Sequence, residues 1–139
     1  PRKEYKLVEI GMGTGIVTND LKNIKNVELF GVDINQKYLD YAVRKGRINK
    51  DNVAVGDFEN LPFSDKSFDI YTGVAILPQR KDVAKFYSEA LRVLKDDGMI
   101  IIPWIRAGKE SKEREKKCFE ESGIALAEEG DWYLVGKKK

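Results

Sequence analysis

The sequence predicts an α/β fold with a doubly wound, mostly parallel sheet, and three observations carry that prediction. Residues 7–15 read Leu-Val-Glu-Ile-Gly-Met-Gly-Thr-Gly, an apolar run that ends in an acid and then three alternate glycines. Residues 27–34 form a second apolar run closed by Asp33, 22 positions after Gly11. Strand-length apolar runs then alternate with helix-spaced segments along the chain, as in sheets built from crossover units.

The 139 residues fit one domain, taken as 1–139. At this size folding buries roughly two-thirds of the unfolded chain's surface, enough for a real core. With 42% apolar and 35% charged residues, the chain reads as soluble and globular. No apolar run approaches the ~20 residues needed to span a membrane. No secretory signal is seen before the first strand, so a cytoplasmic setting is expected. The single cysteine, Cys118, forms neither an internal disulfide nor a zinc cluster and fits that setting. The 25 basic residues nearly balance the 23 acidic ones. That argues against a nucleic-acid binder, DNA in particular, whose footprint is a basic excess on one face. The closing Lys137-Lys138-Lys139 reads as a solvated tail. With no histidine, Ser-His and Cys-His nucleophile systems, common zinc-hydrolase ligand sets and the commonest general base are all excluded.

The first strand ends at Ile10, and glycines follow where the backbone must turn tightly and approach a ligand. Residues 16–24 keep helical spacing, with Ile16, Val17, Leu21 and Ile24 on one side. Strand, glycine turn and helix form the nucleotide-binding opening of a doubly wound sheet. The spacing narrows the ligand. Dinucleotide fingerprints place glycines at relative positions 1, 3 and 6, whereas here they fall at 1, 3 and 5 and Ile16 holds the sixth place. Glu9 at the strand end repels a pyrophosphate and suits a ligand carrying positive charge. A glycine turn without a ligand is the alternative.

Residues 27–34 are the second strand. Asp33 at its tip is where this fold binds ribose hydroxyls, and a carboxylate accepts two hydrogen bonds from a vicinal diol. The alternative is a cap for the following helix, expected over 36–46 with Tyr38, Leu39, Ala42 and Val43 inward and Gly46 at its end. Residues 53–55 are a third strand leading to Gly56-Asp57-Phe58. Residues 61–69, Leu-Pro-Phe-Ser-Asp-Lys-Ser-Phe-Asp, are a loop anchored by Phe63 and Phe68. Residues 68–77 hold the fourth strand and its loop. Asp82 caps a helix over 83–95, and 99–102 is the fifth strand, with Trp104 expected to pack near its end. Residues 108–122 alternate acid and base and read as an exposed helix held by weak pairs of ~0.2–0.5 kcal/mol each. Cys118 near its end is expected to be a small buried apolar residue. Residues 124–128 and 132–135 are the sixth and seventh strands, joined as an antiparallel hairpin.

Several of these stretches resemble the class I methyltransferases that use S-adenosylmethionine (SAM). Glu9-x-Gly11-x-Gly13-x-Gly15 resembles that family's first motif and Gly-Val-Asp33-Ile34 its second. The L-P-F-x-D-x-S-F-D wording of 61–69 is similar to the segment before its fourth strand. Leu91-Arg92-Val93-Leu94-Lys95 resembles the R-V-L-K before strand five, with Asp96-Asp97 where the family often has Pro-Gly. The resemblance runs from Tyr5 to Val135 and implies a three-layer α/β/α core with a seven-stranded sheet, its last strand antiparallel.

The resemblance implies SAM as cofactor and a binding set of Glu9, Gly11, Met12, Gly13, Gly15, Asp33, Ile34, Asp57, Phe58 and Gly73. Glu9 is expected to face the amino group, Asp33 the ribose, Asp57 and Phe58 the adenine, and Gly73 the methionine end. The loop after strand four lacks the family's His or Asn-Pro-Pro-Tyr element, which argues against methylation of DNA bases or glutamine nitrogen. No metal ligand and no catalytic residue is assigned. The expected activity is methyl transfer to a small molecule. The alternatives are a methyltransferase acting on a protein or RNA or completed by a partner subunit, and a non-catalytic scaffold or activator. A core without an N-terminal cap is expected, which a homodimer or a partner subunit would close.

Overall fold

The computed structural model describes residues 3–74, 76–103 and 109–139. The elements run β1 (Tyr5–Ile10), α1 (Ile16–Leu21), β2 (Val27–Asp33), α2 (Gln36–Arg44), β3 (Val53–Val55), β4 (Phe68–Thr72), α3 (Val83–Val93), β5 (Leu94–Pro103), α4 (Lys109–Glu121), β6 (Ile124–Glu129) and β7 (Tyr133–Lys138). They form one seven-stranded sheet in the order β3-β2-β1-β4-β5-β7-β6. Strands β1 to β5 pair in parallel, and β7 runs antiparallel to both β5 and β6. The chain reverses its direction of winding between β3 and β4, which places the topological switch point at the tips of β1 and β4.

The sheet has a core on each face. Leu7 and Val8 are neighbours in β1 and point to opposite sides, which is why this central strand reads as a continuous apolar run. Val8 and Ile10 join Tyr71, Phe86, Tyr87, Ile100, Phe119 and Leu134 in the larger core, under α3 and α4. Leu7 joins Met12, Leu29, Leu39, Ala42 and Ile48 in the smaller one, under α2. Among the described residues no helix is long and apolar enough to cross a membrane.

Several local expectations are corrected. Helix α1 stops at Leu21, three residues early. Its chain winds out through tighter turns in which Asn23 N–H donates to the Asp20 carbonyl and Ile24 N–H to that of Leu21. The expected inward face is also wrong. Ile16 is 71% exposed and Ile24 47%, while Thr18 is fully buried, because its hydroxyl donates to the buried Glu9 carboxylate. In α2 the inward residues are Leu39 and Ala42, and Tyr38 stands exposed. That helix ends in a Schellman motif: Arg47 N–H donates to the Ala42 carbonyl and Gly46 N–H to that of Val43, with Gly46 at φ +68°. Its N-cap is Asn35, whose side chain accepts from Lys37 N–H, so Asp33 is free of the capping alternative.

Asp82 does cap α3, accepting from Lys85 N–H. Strand β5 begins at Leu94, five residues earlier than expected: Leu94 pairs with Phe68 and Met99 with Ile70, so residues 95–98 bulge out of the ladder. The loop 61–69 is organised from outside itself. Arg92 donates to the carbonyls of Leu61 and Phe63 and to the carboxylates of Asp65 and Glu89. Strand β7 runs three residues past the expected end. Lys138, expected in a loose tail, is part of the sheet and donates to the Leu94 carbonyl at 2.6 Å.

Helix α4 is not the uniformly exposed element its charge pattern suggests. Glu115 and Phe119 are buried. The Glu115 carboxylate accepts both terminal nitrogens of Arg80 at 2.7 and 2.9 Å and also the Tyr87 hydroxyl. Cys118 is half-buried beside the larger core, and burial pushes its thiol up. Trp104 and residue 108 lie outside the described residues.

Candidate cofactor site

A cavity of about 440 Å³ opens at the carboxyl ends of β1, β2 and β3, lined by residues of the glycine turn, the β2 tip, the turn after β3 and the segment before α3. Small-molecule sites typically span roughly 300–1,000 Å³. Six residues of the expected set line it: Gly11, Gly13, Asp33, Ile34, Asp57 and Phe58.

The glycine turn needs its glycines. Gly11, Gly13 and Gly15 all sit in the left-handed region, at φ +64°, +56° and +84°. A Cβ on Gly11 would also come within 2.8 Å of the Ile76 side chain. Asp33 ties this turn to the tip of β2: its Oδ2 accepts from Gly13 N–H and its Oδ1 from Asn35 N–H, both at 2.9 Å. Each carboxylate oxygen keeps a lone pair after these bonds. Asp57 organises the turn after β3 in the same way, with Oδ1 accepting from Glu59 N–H at 2.8 Å.

Four expected residues lie off the lining. Glu9 stands behind the glycine turn, 2% exposed. Burial pushes its carboxyl up from 4.5 to about 7, against the hydrogen bond from Thr18, which lowers it. Met12 turns its side chain into the smaller core beneath Gly31, where a Cβ would come within 2.1 Å of the Met12 sulfur. Gly15 opens α1 with no place on the lining. Gly73 is buried beyond β4; a Cβ there would meet the Ile10 carbonyl oxygen at 2.8 Å and Ile76 Cδ1 at 2.5 Å.

The lining also includes residues the sequence reading passed over or placed elsewhere. Tyr38 was expected in the core. Asn35, Glu59 and Lys81 were given no site role. Tyr38 falls on the helical stripe with Leu39 and Ala42, so period alone does not separate it from the core. Glu59 follows Asp57 by two residues, which is the only hint the sequence carries.

This lining fits SAM better than it fits a phosphate ligand. It carries three carboxylates, Asp33, Asp57 and Glu59, and one cation, Lys81. A pyrophosphate would meet net repulsion there. For a phosphate-free, positively charged adenosine derivative the same lining presents carboxylate acceptors together with apolar side chains of Ile34, Phe58 and Ile76. Among the described residues no group of three or more His, Cys, Asp or Glu is placed to hold a metal ion.

Fold and site together define a class I, SAM-dependent methyltransferase domain. A family described as a methyltransferase domain matches residues 8–102, and the chain belongs to that family. Among curated proteins, the chain is 35% identical over 98 residues to the demethylmenaquinone methyltransferase of Thermotoga maritima, covering 70% of this chain and 42% of that protein. It is 34% identical over 128 residues to the uncharacterised protein MJ1123 of Methanocaldococcus jannaschii, covering 88% of this chain and 58% of that one. The chain thus spans about half the length of these relatives. Among solved structures, a SAM-dependent methyltransferase from Aquifex aeolicus superposes with a TM-score of 0.76 at 18% identity, over 96% of this chain and 81% of that one. A chain of the Haloferax volcanii complex between the Trm112 methyltransferase activator and its methyltransferase candidate superposes with a TM-score of 0.78 at 20% identity, over 99% of this chain and 84% of that one. At these identities the two structures speak for the fold alone.

Proposed function

We propose that this protein transfers a methyl group from SAM to a small organic acceptor. The observation that carries this reading is the Asp33 carboxylate. It is hydrogen-bonded to the glycine turn at Gly13 and lines the same cavity as Asp57 and Phe58. In this reading Asp33 accepts the ribose hydroxyls, Ile34 flanks the adenine, and Asp57 and Phe58 receive its edge. Glu9 supports the turn from behind and supplies negative charge toward an ammonium group. Gly73 and Ile76 border the methionine end. When bound, SAM brings the activated methyl group itself, so the protein's task is to position the reactants and exclude water. No general base is assigned, and an acceptor that is already nucleophilic needs none.

The small-molecule acceptor is supported by similarity to a demethylmenaquinone methyltransferase and to sterol 24-C-methyltransferases. A second reading, in which another subunit or a second copy covers the site, is favoured by the exposed apolar rim. Ile34 on the lining is 74% exposed and Tyr38 47%. One experiment separates the acceptor classes. The protein is incubated with methyl-labelled SAM and cell extract, and the label is followed into solvent-extractable, protein and RNA fractions. Label in the solvent-extractable fraction is expected. Label confined to protein or RNA would overturn the small-molecule reading.

A further inference from the structure

The third glycine of the turn, Gly15, lies off the cavity lining and has no role in the reading so far. It is the N-cap of α1, where no side chain caps the helix. What it faces is the end of α2. A Cβ on Gly15 would come within 3.3 Å of Arg47 Cδ, 3.4 Å of Arg47 Cβ and 3.1 Å of Ala42 Cβ. Arg47 is the last residue of the Schellman motif that ends α2, with its N–H bonded to the Ala42 carbonyl. Its side chain runs back past Gly15, and Nη1 donates to the Thr14 carbonyl at 2.7 Å. The guanidinium carbon lies 5.5 Å from the centre of the Tyr41 ring, within cation–π range. Lys22 joins the same two elements from the other end of α1, with Nζ donating to the Gly46 carbonyl at 3.0 Å.

The turn needs restraint from outside itself. Thr14 lies between two glycines, whose backbones have no Cβ to limit them. Asp33 restrains one side, accepting from Gly13 N–H at 2.9 Å. Arg47 restrains the other through a charge-assisted bond, the stronger class. Consecutive residues of the turn are thus gripped from the tip of β2 and from the end of α2. Gly11, at the head of the turn, packs against Ile76, whose Cγ2 a Cβ there would meet at 2.8 Å. Ile76 borders the methionine end in the proposed reading.

We propose that Arg47 is a positioning residue for the methionine end of the cofactor. It is not on the lining and acts through the turn. By fixing the Thr14 carbonyl it holds the turn, before the ligand arrives, in the shape that meets the amino-acid part. This rests on the SAM reading and reaches beyond the residues that line the cavity. It also gives Gly15 a reason: a side chain there would crowd the space through which Arg47 reaches Thr14.

The test compares S-adenosylhomocysteine with methylthioadenosine, which carries the same adenosine and sulfur without the amino-acid part. Both are titrated calorimetrically into the full chain, the Arg47→Met variant and the Arg47→Lys variant. Methionine keeps an unbranched stem beside Gly15 and removes every donor, whereas lysine keeps a charged donor. Cooperative melting of each variant is recorded first. Arg47→Met is expected to weaken S-adenosylhomocysteine by roughly tenfold or more, the worth of a hydrogen bond from a charged group, and methylthioadenosine by less than about threefold. Arg47→Lys is expected to return the ratio of the two affinities toward that of the parent. An unchanged ratio in a methionine variant that folds and binds overturns the proposal and leaves the SAM reading intact. Equal loss of both ligands also overturns it, since Arg47 would then only support the fold. A lysine variant no better than the methionine one overturns it as well. If the methionine variant does not melt cooperatively, Arg47→Ala is read in the same way, and failure of both to fold overturns the proposal. If the parent binds neither ligand, the SAM reading itself fails and the proposal with it.

Discussion

Glu9→Gln should make the protein more stable above neutral pH and no more stable in acid. Glu9 lies 2% exposed behind the glycine turn, and burial pushes its carboxyl from 4.5 to about 7. Below pH 4.5 the residue is protonated in both the folded and the unfolded chain. Between 4.5 and 7 the folded protein holds a proton that the unfolded chain has released, so stability falls as pH rises through this window. Each pH unit is worth about 1.4 kcal/mol, so above pH 7 the folded state carries a cost of about 3 kcal/mol. Glutamine is neutral throughout, and its carbonyl accepts the Thr18 hydroxyl as the carboxylate does. The gain from the variant should grow from near zero at pH 4.5 to about 3 kcal/mol at pH 8. That corresponds to roughly 10 °C in Tm for a domain of this size. The assay is thermal denaturation of both proteins at pH 5, 6, 7 and 8 without ligand. A difference in Tm that does not grow with pH, or a variant less stable at pH 8, would refute the reasoning. Saturating S-adenosylhomocysteine should narrow the gap at pH 8, because its ammonium group favours the ionised carboxylate.

Other expectations follow from the same structure. Asp33→Ala should weaken S-adenosylhomocysteine binding by ~1–3 kcal/mol, since ribose donors lose their acceptor; unchanged affinity by calorimetry would place the ribose elsewhere. Arg80→Ala strands the buried Glu115 carboxylate and should destabilise by about 3–5 kcal/mol in urea denaturation, where a loss under 1 kcal/mol would show Glu115 finds water. Tyr71→Phe removes a buried hydroxyl with no partner among the described residues and should stabilise by about 1 kcal/mol. A destabilised Tyr71→Phe would mean that hydroxyl is satisfied by bound water.

The parts of this structure legible in the sequence are those whose signals are local. The glycine spacing, Asp33 at the tip of the second strand, the Asp82 cap and the closing hairpin each declare themselves within a few residues. The misread parts depend on partners far along the chain. Glu115 sits in a run of alternating charge that looks solvated, and its partner Arg80 is 35 residues away. Thr18 is drawn inward by Glu9, so polar pairing rather than apolar spacing sets the face of α1. Arg92 gathers the loop 61–69 from across the fold. Tyr38 shares a stripe with Leu39 and Ala42, and only the third dimension turns it to the cavity. Three of the four expected site residues off the lining share a cause. Motif spacing marks the turn as a unit, but within it Gly11 and Gly13 line the cavity while Glu9, Met12 and Gly15 stand off it, and Gly73 is buried beyond β4 against Ile10 and Ile76.

The most direct test of the central claim is calorimetric titration of the full chain with S-adenosylhomocysteine, with NAD as the control. The account predicts micromolar binding of the first and none of the second, because the lining carries three carboxylates, Asp33, Asp57 and Glu59, against one cation, Lys81, and so disfavours a pyrophosphate. Binding of NAD, or of neither ligand, would contradict it.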